Sequence, residues 1–254
     1  MKSVLTIAGS DPSGGAGLQA DLKVFRAFGL HGLSVVAALT AQSTVGVARV
    51  LPVERDFLDE QLEVLLADIR PEALKTGLLY TSWAVELTAE KVRRHELRNL
   101  VIDPVTVSSS GACLVSDGTL DRMREELFPF ARVITPNIYE ASVLTGLNVE
   151  DEDGMEKAAL ALKAMGPEVI IITGGHLKNM TTDLFYDGET LQRLGSPKLH
   201  GEYHGTGCAF SAALAAALAQ GDTPHQAALK AKDFVTSAIR NAYNPGRGMG
   251  ILSL

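Results

Sequence analysis

Short apolar runs without polar alternation constrain the fold of this chain more than any other feature. The runs are rich in β-branched residues and lie at 4–7, 33–36, 100–102, 132–134 and 169–172. Strands that are buried on both faces have this pattern. Segments with helical spacing separate the runs, as at 57–69, where leucine or isoleucine recurs every three or four residues. The alternation predicts an α/β fold, a three-layer αβα sandwich around a mainly parallel central sheet.

Two segments depart from this alternation. Within 182–196, Asp187-Gly188 separates two short apolar runs, which predicts a hairpin. From Gly205 onward the sequence has the pattern of helices. Because no Ser/Gly-rich or Pro-rich linker, low-complexity tract or repeat interrupts the 254 residues, we expect a single domain over 1–254.

Charge and cysteine content exclude several classes of protein. The formal net charge of -7 gives no reason to expect a nucleic acid as partner. Two cysteines, Cys113 and Cys208, cannot form a disulfide framework, and no Cys/His cluster has zinc spacing. The N-terminal apolar stretch is too short for a signal peptide, and the alanine-rich run at 209–219 is about half of a membrane span. We therefore expect a cytoplasmic protein that binds no membrane.

Glycine and polar residues follow each of the predicted strands. Ligands bind at the carboxyl ends of strands in an open parallel sheet, so these segments are candidates for a site. The need of loops for glycine and proline would explain one or two of them but not all five. The segments lie at 8–17, 40–43, 103–105, 135–140 and 173–176.

The first of these segments fits a dinucleotide-binding pattern loosely. Gly15 and Gly17 lie between a predicted strand and a predicted helix, as that motif requires. However, the loop from Gly9 to Gly15 is longer than the tight turn of a dinucleotide-binding unit, and no acidic residue for a ribose follows the next strand. The segment is not a Walker A loop either. An NAD(P)-dependent oxidoreductase is therefore only a minor alternative.

The strongest local signal is the segment 204–208, His-Gly-Thr-Gly-Cys, which leads into an alanine-rich helix. Glycines at a helix start leave backbone N–H groups free to bind an anion, and the helix dipole adds positive potential. A phosphoryl group in transit fits such a place. The same field is expected to lower the pKa of Cys208, so that a partial thiolate accepts a proton from a hydroxyl. A small buried apolar residue is the alternative role, and it is the one we favour for Cys113.

Carboxylates at two strand exits are candidate metal ligands. Asn137 and Glu140 share the first turn of a predicted helix, and Asp103 ends a buried strand. Glu140 fits Mg²⁺, or it caps the helix together with Asn137, and spacing does not decide between the two. Asp103 has the same alternatives, metal or cap.

Taken together, these segments resemble a known family. They read AGSDPSGGAGLQADLK at 8–23, Gln42 at a strand exit, ITPNIYEA at 134–141, TGGH at 173–176 and HGTGC at 204–208. In this order, over nearly the whole chain, they closely resemble the hydroxymethylpyrimidine/phosphomethylpyrimidine kinases of thiamine biosynthesis, which belong to the ribokinase-like superfamily.

The resemblance implies a fold, a reaction and cofactors. In that family ATP-Mg²⁺ phosphorylates the hydroxymethyl group of 4-amino-5-hydroxymethyl-2-methylpyrimidine (HMP), and the same enzyme then converts HMP phosphate to HMP diphosphate. A ribokinase-like fold with ATP and Mg²⁺ is thereby implied. Gly205, Thr206 and Gly207 would form the anion hole, and Cys208 would be the base, where the superfamily has Asp.

Binding residues are implied in the same way. The pyrimidine pocket would be formed by Gly9, Ala16, Asp21, Gln42 and Leu78, with Asp21 and Gln42 hydrogen-bonding the aminopyrimidine edge. Phosphates and Mg²⁺ would be organised by Asn137, Asp103 and Glu140, the last two as metal ligands. The nucleotide would be approached by the backbone of Thr173, Gly174 and Gly175 and contacted by Lys232. The expected partners are the small-molecule pyrimidine and a second copy of the chain in a homodimer.

Two segments differ from the family pattern, and two further functions remain as alternatives. Thr173 stands where many relatives have lysine, and the C-terminal segment lacks a Gly-His-Gly-Pro ending. A pyridoxal kinase of the same superfamily would hold a different ring, and Gln42 favours the aminopyrimidine. A non-catalytic pyrimidine sensor would not need Cys208 or Glu140, both of which are present.

Overall fold

The structure, a computed structural model, describes residues 1–107, 114–175, 181–196, 199 and 201–254. The strands in these ranges are β1 (Ser3–Ser10), β2 (His31–Ser43), β3 (Gly46–Pro52), β4 (Ala73–Thr76), β5 (Leu100–Ile102), β6 (Val133–Ile134), β7 (Val169–Ile172), β8 (Thr181–Tyr186), β9 (Leu191–Ser196), β10 (Tyr203–His204) and β11 (Gly250–Ile251). The α-helices are α1 (Gly17–Ala27), α2 (Arg55–Asp68), α3 (Ser82–Arg94), α4 (Thr119–Arg122), α5 (Ile138–Thr145), α6 (Glu152–Lys163), α7 (Thr206–Gln220) and α8 (Pro224–Arg240). Short π-helical and 3₁₀ turns follow α4, at Met123–Leu127 and Phe128–Phe130.

Nine strands form one sheet in the order β3-β2-β1-β4-β5-β6-β7-β8-β9. The six strands from β2 to β7 in this order are parallel, whereas β3 at one edge and the β8–β9 hairpin at the other are antiparallel. One face of the sheet packs on leucines of α2 and α3 and on α5 and α6. The other face packs on α1, α7 and α8. The predicted three-layer, mainly parallel α/β fold is confirmed.

Helix α7 explains the most apolar stretch of the sequence. All residues from 209 to 219 are buried in it, and their small side chains let the helix lie close to the sheet. The run is therefore the centre of one layer. Among the helices that the structure describes, none is both long enough and apolar enough to cross a membrane.

Local patterns located most elements and missed a few. The predicted hairpin is β8–β9, and the predicted helix at 57–69 is α2, with Leu58, Leu62 and Leu66 buried. Strand β4 was not predicted, because Lys75 interrupts its apolar run. The expectation of helices from Gly205 onward is wrong after Arg240, where the chain crosses back and β11 pairs with β10.

Strand β1 lies between β2 and β4, so the chain moves in opposite directions from it along the sheet. Crossover connections on the two sides of such a switch point separate at the carboxyl ends of the strands and leave a crevice there. Because β1, β4 and β5 are parallel, the segments that follow them all lie at the carboxyl ends of the strands, beside this crevice.

Candidate active site

The carboxyl ends of β1 and β4 bring two short loops into contact. The backbone N–H of Gly77 donates to the carbonyl oxygen of Ile7 (3.0 Å). A Cβ on Gly9 would lie 2.9 Å from Leu78 Cδ2. Leu78 is buried and belongs to a small apolar cluster with Ala38. Gly9 and Leu78, both expected in the pyrimidine pocket, are therefore neighbours.

Asp11 organises the loop between β1 and α1. Its carboxylate accepts hydrogen bonds from the backbone N–H groups of Ser13 (2.9 Å), Gly15 (3.2 Å) and Ala16 (2.8 Å). His204 Nε2 lies 2.9 Å from the same carboxylate. Burial opposes the charge, but the hydrogen bonds from His204, Ser13 and Ala16 outweigh it and hold the pKa of Asp11 below its ordinary value. Ala16, the residue before α1, is thereby fixed in place.

Gln42 joins this network from the end of β2. Its side-chain amide lies 2.9 Å from His204 Nε2 and 3.1 Å from Thr40 Oγ1. Reasoning from the sequence named Gln42 but missed Asp11 and His204 as site residues. The Asp11-Pro-Ser-Gly turn was a signal for the first, since aspartate in such turns accepts backbone N–H groups that follow it.

The N-cap of helix α7 is a glycine that no other residue could replace without strain. Gly205 has φ +84°, and a Cβ there would lie 1.9 Å from the carbonyl oxygen of Gly15. No described side chain caps this helix start. The backbone N–H groups of the first turn, from Thr206 to Cys208, are therefore available to an anion. Gly207 faces Asp103, whose carboxylate oxygens would lie 4.0 Å from a Cβ at that position.

A buried cluster of charges lies behind this helix start. Lys75 Nζ binds both oxygens of Asp21, at 2.8 and 2.9 Å, and lies 4.0 Å from Asp103 Oδ2. Thr6 Oγ1 donates to Asp21 (2.6 Å), and Ser211 Oγ donates to Asp103 (3.1 Å). Burial alone would lower the pKa of Lys75, but the negative charge around it, that of Asp21 above all, raises the pKa above its ordinary value.

Asp21 is buried behind the helix start and is already paired in the ligand-free protein. It is 0% exposed, and its oxygens accept hydrogen bonds from Lys75 and Thr6. These three contacts leave one acceptor site of the carboxylate for a ligand. The hydrogen bond from the aminopyrimidine to Asp21 therefore stays a prediction, and the partner that the structure adds is Lys75 of β4.

Cys208 is a protonated thiol in the ligand-free protein. Burial raises its pKa to about 12, and repulsion from the Asp103 and Asp21 carboxylates adds to this. The attraction of Lys75 and a hydrogen bond from the Gly17 N–H only partly oppose the rise. The expectation of a partial thiolate is therefore wrong for this state, because desolvation and the negative charge of Asp103 and Asp21 exceed the opposing effects of Lys75 and the Gly17 N–H.

Asn137 and Glu140 form a capping box at the start of α5. Asn137 Oδ1 accepts from the Glu140 N–H, and Glu140 Oε2 accepts from the Asn137 N–H, both at 2.9 Å. The capping alternative for Glu140 is thus confirmed. Its other oxygen is only 3.5 Å from the Thr106 N–H. Burial first, and then repulsion from Asp103, raises the pKa of Glu140 to about 8.

The donor set around Glu140 fits a divalent cation shared with a ligand. Two buried carboxylates, Asp103 and Glu140, repel each other here, and a bound cation would remove this repulsion. The Thr106 hydroxyl is buried and has no hydrogen-bond partner among the residues that the structure describes. In the described part of the chain, no three His, Cys, Asp or Glu side chains group as a metal site. The remaining ligands would therefore be phosphate oxygens and water.

The residues expected at the nucleotide are brought together at the ends of β6 and β7. The Thr173 N–H donates to the Pro136 carbonyl oxygen (2.9 Å), and Thr173 bridges to Asn137. Asp183 accepts from the Gly174 N–H (3.0 Å) and from Lys232 Nζ (2.6 Å). Lys232 is thus tied to the glycine loop through Asp183. Gly175 follows directly, whereas His176 and Cys113 lie outside the described residues.

A separate cavity of about 380 Å³ lies at the amino ends of the strands. Arg132 and Glu168, which precede β6 and β7, line it together with His225 of α8. It contains none of the residues expected in the site.

Comparison with known proteins agrees with this geometry. The family model for phosphomethylpyrimidine kinase matches residues 11–253. The chain is 41% identical over 249 residues to the hydroxymethylpyrimidine/phosphomethylpyrimidine kinase of Bacillus subtilis. The aligned region covers 97% of this chain and 92% of that protein. It is 44% identical over 250 residues to the thiamine biosynthesis bifunctional protein ThiED of Geobacter sulfurreducens. That match covers 98% of this chain and 51% of the relative, so the chain spans about half of its length.

Solved structures have the same ribokinase-like fold. The pyridoxal kinase of Staphylococcus aureus, in complex with AMP-PCP and pyridoxal, superposes with a TM-score of 0.92 at 37% identity, over 100% of this chain and 93% of that one. The phosphomethylpyrimidine kinase of Clostridium difficile superposes with a TM-score of 0.84 at 35% identity, over 94% of this chain and 100% of that one. By sequence over nearly its whole length, and by fold, this chain belongs to the phosphomethylpyrimidine kinase family.

Proposed function

We propose that this protein transfers the γ-phosphoryl group of ATP to the hydroxymethyl group of HMP, and then phosphorylates HMP phosphate to HMP diphosphate, in thiamine biosynthesis. The observation that carries the proposal is the start of α7. There, uncapped N–H groups from Thr206 to Cys208 adjoin a thiol and the Asp103 carboxylate. The named kinases among its relatives supply the substrate class.

Phosphoryl transfer needs positioning and charge stabilisation more than covalent chemistry, and the site offers both. The N–H groups of Gly205, Thr206, Gly207 and Cys208 would hold the oxygens of the phosphoryl group in transit. Gly9, Ala16, Gln42 and Leu78 would hold the pyrimidine. Asp21 would keep Lys75 in place and accept a hydrogen bond from the aminopyrimidine edge at its remaining acceptor site.

The nucleotide would lie along the ends of β6 and β7. Thr173, Gly174 and Gly175 would approach it by backbone, and Asn137 stands beside them through its bridge to Thr173. Lys232 would supply positive charge from α8, where it is now paired with Asp183.

Cys208 would release its own proton to water on forming the thiolate and then accept the proton of the substrate hydroxyl. Asp103 and Glu140 would hold Mg²⁺, with the Thr106 hydroxyl nearby. When bound, Mg²⁺ would neutralise phosphate oxygens and reduce the repulsion that Asp103 exerts on the Cys208 thiolate. The positive charge of Lys75 would also stabilise the thiolate.

The decisive experiment measures ATP consumption with HMP, HMP phosphate and pyridoxal side by side, with product masses. We expect turnover of both pyrimidines and formation of HMP diphosphate. Turnover of pyridoxal above that of HMP would instead support the second candidate, a pyridoxal kinase, which the fold similarity to the Staphylococcus aureus enzyme favours. Binding of HMP without ATP consumption would indicate a sensor and overturn the proposal.

Cys208→Ala tests the assignment of the base. Since general bases contribute roughly 10²–10⁴-fold, kcat should fall by about that factor while ATP binding persists. Cys113→Ala is the matched control and should keep wild-type turnover. Full activity of Cys208→Ala would show that another group takes the proton.

We further propose that the protein works as a homodimer in the cytoplasm, where ATP is available. Apolar side chains remain exposed on β2 and β3, where Leu39 and Leu51 pair at the sheet edge and Val45 lies in the turn. A second copy would cover them. Light scattering should give twice the 27.0 kDa chain mass, and a monomer at micromolar concentration would contradict the dimer.

A further inference from the structure

His204 contacts one side chain from the loop after β1 and one from the end of β2. Its Nε2 atom is 2.9 Å from Asp11 Oδ2 after β1, and 2.9 Å from the Gln42 amide at the end of β2. It directly precedes Gly205, the N-cap residue of α7. Because the histidine is buried, these contacts are made without competition from bulk water.

The contact with Asp11 decides where the ring hydrogen lies. An ionised carboxylate only accepts hydrogen bonds, so the 2.9 Å contact requires a hydrogen on His204 Nε2. A ring N–H cannot accept from an amide N–H. If Gln42 Nε2 faced His204, two donors would therefore stand 2.9 Å apart. The amide oxygen of Gln42 therefore faces the ring and shares the single Nε2 hydrogen with Asp11.

Thr40 leads to the same orientation independently. Its Oγ1 lies 2.8 Å from the Ser10 carbonyl oxygen and 3.1 Å from the Gln42 amide. A hydroxyl has one hydrogen, and the Ser10 carbonyl can only accept it. Thr40 Oγ1 is then left as an acceptor for the Gln42 NH₂ group. Oxygen and nitrogen of an amide have nearly the same shape, so the surrounding network assigns them, and here both neighbours agree.

We propose that His204, held by Asp11, is a positioning residue that fixes the amide of Gln42 with its oxygen towards the histidine, and thereby sets the donor and acceptor pattern that selects an aminopyrimidine. This inference rests on the proposed function. It assigns positioning roles to His204, which contacts Gln42, and to Asp11, which contacts His204. Neither residue contacts the reacting atoms.

The chemistry of the ligand agrees with a fixed amide. In the assigned orientation Gln42 keeps one N–H and one oxygen lone pair for a ligand. An aminopyrimidine presents an amino N–H beside a ring nitrogen that accepts, which is the complementary pair. If the Gln42 amide were rotated by 180°, its NH₂ group would face the amino group of the ligand and its oxygen would face the ring nitrogen. Polar groups that are left unpaired in a closed site weaken binding strongly.

The test compares HMP with its analogue that lacks the 4-amino group, in His204→Leu, His204→Gln and Thr40→Val. The measured quantity is the ratio of kcat/KM for the two alcohols, with the KM for ATP as a second readout. In His204→Leu the ratio should fall by about 10-fold or more, since one mismatched buried hydrogen bond has this effect. His204→Gln, whose NH₂ group reaches the same place, should recover most of it. Thr40→Val should change the ratio less than about 3-fold, because the shorter contact of the Gln42 amide, the one with His204, remains. The KM for ATP should stay constant throughout.

Equal loss with both alcohols in His204→Leu would overturn the proposal, because a purely structural histidine affects them alike. A larger fall of the ratio in Thr40→Val than in His204→Leu would overturn it as well. If His204→Leu does not fold, the ¹⁵N NMR spectrum of the wild-type imidazole decides, and an Nε2 without hydrogen refutes the orientation. Failure of the wild-type protein to use HMP at all would instead contradict the proposed function.

Discussion

Replacing Lys75 by methionine should destabilise the protein strongly, because it leaves a buried carboxylate without its counter-charge. Lys75 and Asp21 are each 0% exposed, and two N–H···O contacts of 2.8 and 2.9 Å join them. Removing one member of a buried ion pair costs about 3–5 kcal/mol, whereas removing both is close to neutral. Methionine has nearly the volume of lysine, so the cost reports charge more than packing.

Urea denaturation of a double-mutant cycle measures this cost. We expect Lys75→Met to lose about 3–5 kcal/mol and the double variant Lys75→Met/Asp21→Asn to recover most of it. Lys91→Met is the matched control: its side chain is 3% exposed, but its partners Asp59 and Glu63 reach solvent. Its loss should stay near 1 kcal/mol, since its partners keep their hydration.

The pH dependence of the Lys75→Met variant supplies the refuting result. Without Lys75, the pKa of Asp21 rises further above the value of about 3.9 in the unfolded chain. An acid whose pKa is higher in the folded protein is protonated in both states below its unfolded pKa and then costs no stability. As the pH rises towards the folded pKa, the free energy of unfolding falls. The deficit relative to wild type should therefore be smaller at pH 5 than at pH 8. A deficit that is independent of pH, or no larger than that of Lys91→Met, would refute the buried-charge explanation.

Three further changes test the geometry described above. Because the pKa of Glu140 is raised to about 8, the free energy of unfolding of the ligand-free protein should fall from about pH 4.5 to pH 8. In urea titrations, Glu140→Gln should show a smaller fall over this pH range, because it lacks the titrating carboxyl group. Gly205→Ala should lower stability and turnover more than Gly118→Ala, since both have positive φ but only a Cβ at 205 meets the Gly15 carbonyl; equal effects would contradict this. Thr223→Ala removes the cap of α8 and should cost about 1 kcal/mol while kcat stays unchanged.

The sequence predicted what depends on neighbours along the chain. Buried strands at 4–7 and 169–172, the hairpin turn at Asp187-Gly188 and the glycine-rich start of α7 each leave a local pattern, and each is present. The capping box of Asn137 and Glu140 is equally local, because its two residues are three apart.

What the sequence could not predict depends on pairs that are distant along the chain. Lys75 is 54 residues from Asp21, so nothing local showed that this aspartate is already paired. The pKa of Cys208 followed the same rule: its helix start was visible, but the buried carboxylates around it were not. His204 and Asp11 are 193 residues apart, and their contact emerges only from the fold.

These long separations also determine when the site can form. His204 pairs with Ile251, Asp11 binds His204, and the Gly248 N–H donates to Thr44 Oγ1 across 204 residues. Closing loops of this length is slow, and the contacts that reward it come only after the sheet is in place. During synthesis, the loop around Asp11 therefore leaves the ribosome long before its partners exist. Ligand binding thus reports assembly of the whole chain, and a bound pyrimidine would serve as a marker of completed folding.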